Sequence, residues 1–364
     1  MLVSTAASGF TEISKTYQHR CVGKVYEIKA AGLLPLRLTP EHPVLVVSGR
    51  HMITRINHRM LRRLRLGAPY WKDACKLEPK TTNKSGDYIL VPRLPGTESR
   101  RKITLEEFSS RRGLFVARAK RLPTSFWLCR DTAWLLGMYV AEGYTTSTGI
   151  SFCLGKHESE LIAELFEKIS ALGYRPCARK TRTAIEVSIR SRILSRAFSA
   201  WCGKGARFKR IPSFVISHVY DSIVKGFLDG YMQGDGYESR DHRSKTLTRG
   251  ASTTSLRLAL ELQLLLVRLG VAATVCRVER PRGGRIENRT VNLHDYYQVA
   301  WCVKPKKKHA AVLEDYVAYP VRSIKGTEYN GLIYNLRTAM EPFLPKTRCP
   351  QRSNQLARHE SLGC

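Results

Sequence analysis

The sequence predicts an α+β chain in which a pseudo-twofold pair of αββαββα repeats is framed by the two parts of a split all-β domain. Three observations lead there. The middle of the chain repeats itself at a nearly constant offset. The segments on either side of it read as short strands punctuated by turn residues. The chain holds 61 Lys and Arg against 30 Asp and Glu, a formal charge of +31, which calls for a polyanionic partner.

Residues 1–95 are the first β part. Val22 to Ile28 alternates, Gly32 and Pro35 interrupt, and Leu36 to Val47 is extended; Tyr88 to Pro92 is a further short strand. Between them, Arg50 to Arg65 interleaves Arg55, Arg59, Arg62, Arg63 and Arg65 with apolar residues, a pattern that suits an amphipathic basic helix. Residues 96–130 are polar and basic and read as a linker or arm. Residues 131–318 are the repeat region. Residues 319–345 turn strand-like again, and 346–364 form a basic tail that is expected to be poorly ordered.

The repeat is specific. Gly137, Glu142, Gly143 and Tyr144 recur as Gly230, Asp235, Gly236 and Tyr237, all at an offset of 93. Glu164-Leu165 and Leu172-Gly173 recur as Glu261-Leu262 and Leu269-Gly270 at 97, so about four residues entered the second copy's first hairpin. Leu135 to Gly143 is an apolar helix that ends on an acid. Gly137 and Ala141, like Gly230 and Gly234, make one helix face small, and such faces let helix backbones approach closely. Paired across a pseudo-twofold axis, the helices bring Glu142 and Asp235 together. Carboxylates at helix C-termini are disfavoured unless a cation lies between them, and Mg²⁺ or Mn²⁺ suits such oxygen donors.

LLGMYVAEGY at 135–144 and FLDGYMQGDGY at 227–237 resemble the paired motifs of LAGLIDADG (DOD-type) homing endonucleases. The resemblance implies a saddle that grips double-stranded DNA as a monomer and cuts both strands with divalent metal held by Glu142 and Asp235. Gly137, Gly143, Gly230 and Gly236 would form the helix interface. Lys209, in Lys209-Arg210-Ile211-Pro212, resembles the basic catalytic residue of the first half; for the second half Lys304 and Lys325 are candidates. Arg59, Arg62, Arg63, Arg182, Arg190, Lys304 and Lys306 are expected to contact DNA phosphates. Two alternatives stay open: a DNA-binding protein of this fold without cleavage, and an intein fragment whose flanking part acts in protein splicing.

The flanks carry a second resemblance. Thr39-Pro40-Glu41-His42-Pro43 matches the TxxHP block of Hint (hedgehog–intein) domains, supported by 23–28, 86–92 and Glu328 to Leu336. In that family the histidine, here His42, assists the first acyl shift. The chain opens Met1-Leu2-Val3 without a Cys or Ser nucleophile and shows no His-Asn after Leu336, so self-splicing is expected to be lost.

Other classes are expected to be absent. The longest apolar stretch, Leu262 to Val278, is broken by Gln263, Arg268 and Arg277, short of the ~20 apolar residues of a membrane span. The opening MLVSTAASGF has no basic n-region, so no signal peptide is expected. The ten cysteines form no CxxC. Placed as in Phe152-Cys153-Leu154 and Trp301-Cys302-Val303, they read as core thiols of a cytoplasmic, reducing compartment.

Overall fold

The computed structural model describes residues 2–5, 9–56, 59–81, 84–109, 123–241, 246–280, 284–286, 289–291, 294–303 and 310–338. Its helices are α1 (Arg130–Glu142), α2 (Ser159–Ala171), α3 (Arg192–Cys202), α4 (Ser213–Ile216), α5 (Asp221–Gly234) and α6 (Leu256–Arg268). No helix among the described residues is long and apolar enough to cross a membrane.

The centre is the contact between α1 and α5. A Cβ on Gly226 would stand 2.4 Å from Arg130 O, one on Gly230 2.0 Å from Trp134 O, and one on Gly137 2.0 Å from Phe227 O. Further along, a Cβ on Gly234 would lie 2.6 Å from Ala141 Cβ. The contacts advance in step along both helices, so α1 and α5 run parallel and their C-termini arrive together. Only glycine permits this separation, because any side chain at these positions would occupy the partner's backbone. Trp134 Nε1 donates to Gln233 Oε1 at 2.6 Å, which sets the rotation of one helix against the other.

Each of these helices opens a four-stranded antiparallel sheet. In the first repeat the spatial order is Gly143–Thr145, Ile150–Gly155, Ala184–Ile189, Cys177–Lys180; in the second it is Gly236–Asp241, Thr246–Thr253, Tyr296–Cys302, Thr274–Val278. The two orders are equivalent. Gly143 pairs with Phe152, nine residues on, whereas Gly236 pairs with Ala251, fifteen on. From Phe152 to the start of α2 is seven residues, but from Ala251 to the start of α6 is five. The hairpin therefore gained six and the next turn lost two, which is the net four seen in the sequence offset. The first repeat ends in α3 as expected. In the second, the sheet is followed among the described residues by strands Ala311–Val312 and Tyr316–Thr338, so the expected αββαββα repeat is complete in the first copy and shows no last helix among the described residues of the second.

The two flanking segments meet in one sheet of nine strands among the described residues. Gly9–Ala30 pairs antiparallel with Tyr316–Thr338, whose start pairs with Asp87–Pro92, which in turn pairs with Pro43–Ile56. Ile28, Val46, Val317, Tyr319 and Val321 fill its core together with Val267 of α6. Gln263 Nε2 donates to Gly32 O at 2.8 Å and Tyr319 Oη to Ala273 O at 2.7 Å, so the sheet is seated on the second repeat.

Other expectations are corrected. Arg50 to Arg65 is not a helix: Pro43–Ile56 and Arg59–Leu66 are antiparallel strands, with Arg50 opposite Arg65 and Ile56 opposite Arg59. Pairing with a preceding strand outweighs a helical pattern in so short a segment. Within 96–130, Lys102–Thr104 pairs with Ser125–Trp127, and Ile103, Leu105, Phe126 and Leu128 are buried in the main core. The cysteines are mostly not core thiols. Of those described only Cys202 is buried, and Cys153 is exposed. Strand alternation explains it, since Phe152 and Leu154 both face the helices and the residue between them must face away. The tail 346–364 lies outside the described residues.

Replacing Gly230 by valine should destabilise the fold by at least ~3 kcal/mol, because the side chain meets backbone rather than a movable side chain. An exposed control such as Gly205→Ala, where an added Cβ meets nothing closer than 4.0 Å, would bear only its positive-φ cost. Thermal or urea unfolding of the two variants beside the unsubstituted protein checks this.

Candidate active site

Glu142 is the last residue of α1 and Asp235 is the C-cap of α5. The parallel helix contact delivers both to one place: the position of a Cβ on Gly234 lies 3.0 Å from Glu142 Cγ. Glu142, Asp235 and Lys209 line one cavity of about 550 Å³, together with Tyr144, Thr145, Lys204, Ser252 and Thr254.

The electrostatics there are unfavourable for carboxylates. Burial, and then the charges of Asp235 and Glu158, push the Glu142 carboxyl up to about 7. Burial also raises Asp235, with Lys209 acting against it. Both acids stand where the carbonyl ends of two helices converge, which adds partial negative charge.

Lys209 is the internal counterweight. It is 8% exposed. Its Nζ donates to Tyr139 O and Gly143 O, each at 2.6 Å, and lies 4.3 Å from the centroid of the Tyr139 ring. Two of its three N–H groups are thus committed to the last turn of α1, and the ring face adds cation–π stabilisation. Burial pulls its pKa down to about 8, against the opposing influence of Cys202, Asp235 and Glu142. Tyr139 is itself fixed edge-on against Phe152 and Phe198.

Among the described residues no group of three or more His, Cys, Asp or Glu comes together as a ready metal cage. The donor set at the cavity is the half-buried carboxyl of Glu142 and the more exposed carboxylate of Asp235, whose mutual repulsion a cation relieves. Hard oxygen donors of this kind fit Mg²⁺ or Mn²⁺, which leave much of their coordination to water and phosphate.

The remaining expected residues are dispersed. Gly137 and Gly230 lie in the helix contact, while Gly143 and Gly236 begin the first strand of each sheet. Arg182 is exposed in the turn after Cys177–Lys180, and Arg190 is exposed just past Ala184–Ile189. Arg59, Arg62 and Arg63 lie on the strand Arg59–Leu66 of the flanking sheet. Lys304 and Lys306 fall outside the described residues. Lys325 is corrected as a second-half catalytic candidate: it sits on Tyr316–Thr338 opposite Glu27, in the flanking sheet and not at the acids. His42 and Thr39 line a separate cavity of about 310 Å³ with Arg37, Tyr329 and Asn335, and His42 N donates to Thr39 O at 3.1 Å. Partial desolvation lowers the His42 imidazole below its ordinary value.

Several residues escaped the sequence reading. Lys204 is an exposed cation in the acid cavity, and Gly203-Lys204-Gly205 beside the KRIP segment is the signal that marks it. On the face of the first sheet turned away from the helices, Glu186 accepts from Tyr144 Oη at 2.7 Å and Arg179 Nη2 at 2.9 Å. In the second sheet Tyr237, the repeat counterpart of Tyr144, accepts from Gln298 Nε2 at 2.6 Å. The recurrence of the two tyrosines was visible at the same offset of 93.

The raised carboxyl has a stability consequence. In the folded state Glu142 holds its proton up to about 7, whereas its ordinary value is 4.5. The stabilisation that goes with the bound proton is complete below 4.5 and is lost as the pH rises through 7. Glu142→Gln should therefore raise the melting temperature of metal-free protein at pH 8 and leave it nearly unchanged at pH 4.5. Melting curves in chelator at both pH values test this.

Residues 222–298 match the LAGLIDADG-like domain family. The chain is 27% identical over 92% of its length to the ATP-dependent DNA helicase Hel308 of Thermococcus kodakarensis, spanning 32% of that protein. It is 25% identical over 92% of its length to the uncharacterized protein MJ0043 of Methanocaldococcus jannaschii, spanning 45% of it. The chain thus spans less than half the length of these relatives. A solved structure of mesophilic variants of the homing endonuclease I-DmoI is similar at 14% identity and a TM-score of 0.34, over 48% of this chain and 90% of that one. The family match takes in α5 from its second residue, the second sheet as far as Gln298 and the second acid, and so residues 222–298 are a LAGLIDADG-like domain.

Proposed function

We propose that the chain is a site-specific, divalent-metal-dependent endonuclease that cuts both strands of DNA. One observation carries the reading. The acids at the ends of the first helices of the two repeats, Glu142 and Asp235, lie together in one cavity with the buried ammonium of Lys209. A helix pair serving only as core gains nothing from two neighbouring carboxylates at its converging negative ends.

Glu142 and Asp235 are the residues that would hold Mg²⁺ or Mn²⁺. Bound there, such a cation supplies Lewis-acid stabilisation of charge at a scissile phosphate and lowers the pKa of water. The chain's own groups do the rest. Lys209 fixes the last turn of α1, and with it the backbone that carries Glu142, and its charge opposes the negative charge that builds on phosphate. Lys204, exposed at the rim, is placed for a phosphate oxygen. The sheet faces that carry Tyr144, Arg179, Tyr237 and Gln298 offer polar side chains for base edges in the major groove, and the +31 charge supplies sequence-independent affinity.

We read the flanking sheet as a Hint-derived frame. In support, Gly9–Ala30, which holds 23–28, pairs directly with Tyr316–Thr338, which holds 328–336, with Gly23 opposite Tyr329 and Lys24 opposite Glu328, and His42 lines a cavity beside that closing strand. The frame's expected service is support and added phosphate contact.

Incubating a randomised double-stranded DNA library with the protein and Mg²⁺ or Mn²⁺, and sequencing the ends, should yield discrete sites. Glu142→Gln and Asp235→Asn should each slow cleavage on the order of 10³-fold, the scale of losing one preorganised charge-stabilising group, while leaving DNA retention intact. Tight binding that produces no ends with any divalent metal would show a DNA-binding protein instead.

A further inference from the structure

The segment that delivers Lys209 belongs in sequence to the first repeat but is held by the second. Ser255, the N-cap of α6, donates its hydroxyl to Lys209 O at 2.7 Å while accepting from Leu258 N at 3.2 Å. Two residues on, Ile211 N donates to Glu261 Oε2 at 2.7 Å. The other oxygen of Glu261 accepts from Arg257 Nε, also at 2.7 Å. The main chain at 209–211 is therefore tethered to α6, while the Lys209 ammonium is tethered to Tyr139 O of α1 and to O of Gly143, its C-cap. One residue spans the two repeats directly beside the acids.

The repeat provides an internal comparison. Glu164 is the counterpart of Glu261 at the offset of 97. It lies on the surface of α2, with its side chain 37% exposed and 3.4 Å from Lys168. Glu261 is only 12% exposed. A carboxylate taken that far out of water is costly unless its oxygens are used, and one of them is used on a backbone amide. The same helical position thus does ordinary surface pairing in one repeat and holds the lysine-bearing segment in the other.

We infer that Glu261 is a positioning residue for Lys209: by holding the Ile211 amide on α6, with Ser255 as second tether, it sets the ammonium against the turn that carries Glu142. For its effect on rate this rests on the endonuclease reading; for its geometry it does not. The role needs an acceptor at that oxygen rather than a negative charge, so glutamine should replace glutamate and alanine should not.

Three readouts test it on the full chain. The first is brief acetic anhydride labelling with mass spectrometry. Lys209 should be protected in wild type and in Glu261→Gln, and on the order of tenfold more reactive in Glu261→Ala if its burial is what shields it. The second is amide exchange, in which Ile211 should lose protection in Glu261→Ala alone. The third is single-turnover cleavage, which should fall ~10–100-fold in Glu261→Ala with DNA affinity unchanged, the range for losing an orienting neighbour, and return towards wild type in Glu261→Gln. Unchanged Lys209 reactivity in Glu261→Ala overturns the proposal, as does a Gln variant that behaves like the Ala variant. If Glu261→Ala does not fold, Ser255→Gly, which removes the other tether and keeps a tolerated N-cap, takes its place under the same criterion. If the wild type cuts no DNA, the endonuclease reading fails, and labelling and exchange still decide the positioning role.

Discussion

Everything at the candidate site depends on two helix backbones touching. Gly226, Gly230 and Gly137 bring α1 and α5 together at a distance that no side chain tolerates, and the contact fixes them parallel and in step. Parallel packing aligns the helix dipoles, which is the less favourable arrangement, so dispersion and the absence of side chains in the contact must outweigh it. The reward is positional. The last residues of both helices, and hence one acid from each repeat, come to the same point with little freedom to drift.

That placement creates a charge problem which the surrounding residues only half solve. Two carboxylates and the carbonyl ends of two helices face one buried ammonium, and that ammonium spends two of its donors on main-chain carbonyls. The acids crowd together there with only Lys209 and the exposed Lys204 as cations of the cavity, inside a chain of strongly positive net charge. A small cation is favoured locally while the surface favours a polyanion, and a phosphodiester brought in with a divalent ion meets both demands. The site is also unequal. The segment that carries the lysine follows α3, and no matching helix follows the second sheet among the described residues.

Much of this was legible in the sequence because repetition is a strong signal. Four residues at one offset located the helix contact and the acids together, and the length difference between copies located the longer hairpin. The basic stretch at 50–65 misled because arginines interleaved with apolar residues fit both a helix and a strand hairpin. The choice there is made by pairing with the preceding strand, which local pattern does not encode. Cysteines between apolar neighbours misled for a related reason, since flanking residues on a strand report the opposite face. Lys209 was visible as a residue but its work was not: nothing local says that its carbonyl is held by Ser255, 46 residues later, or the Ile211 amide beside it by Glu261, 50 residues beyond Ile211.

The pairing of Gly9–Ala30 with Tyr316–Thr338 has a consequence for how the chain reaches its fold. Tyr26 lies opposite Gly326, 300 residues away in sequence. Closing a flexible loop of that length costs about 5 kcal/mol of entropy before any strand contact compensates. The two repeats, by contrast, are built from hairpins and neighbouring helices of short span. Once they have condensed, the seat at Gln263 of α6 and at Ala273 just beyond it, which receives Gly32 and Tyr319, already exists, and the distance left to close is set by a folded body rather than by a random chain. On these spans the frame is expected to assemble on the domain between its two parts, with its strands registering last.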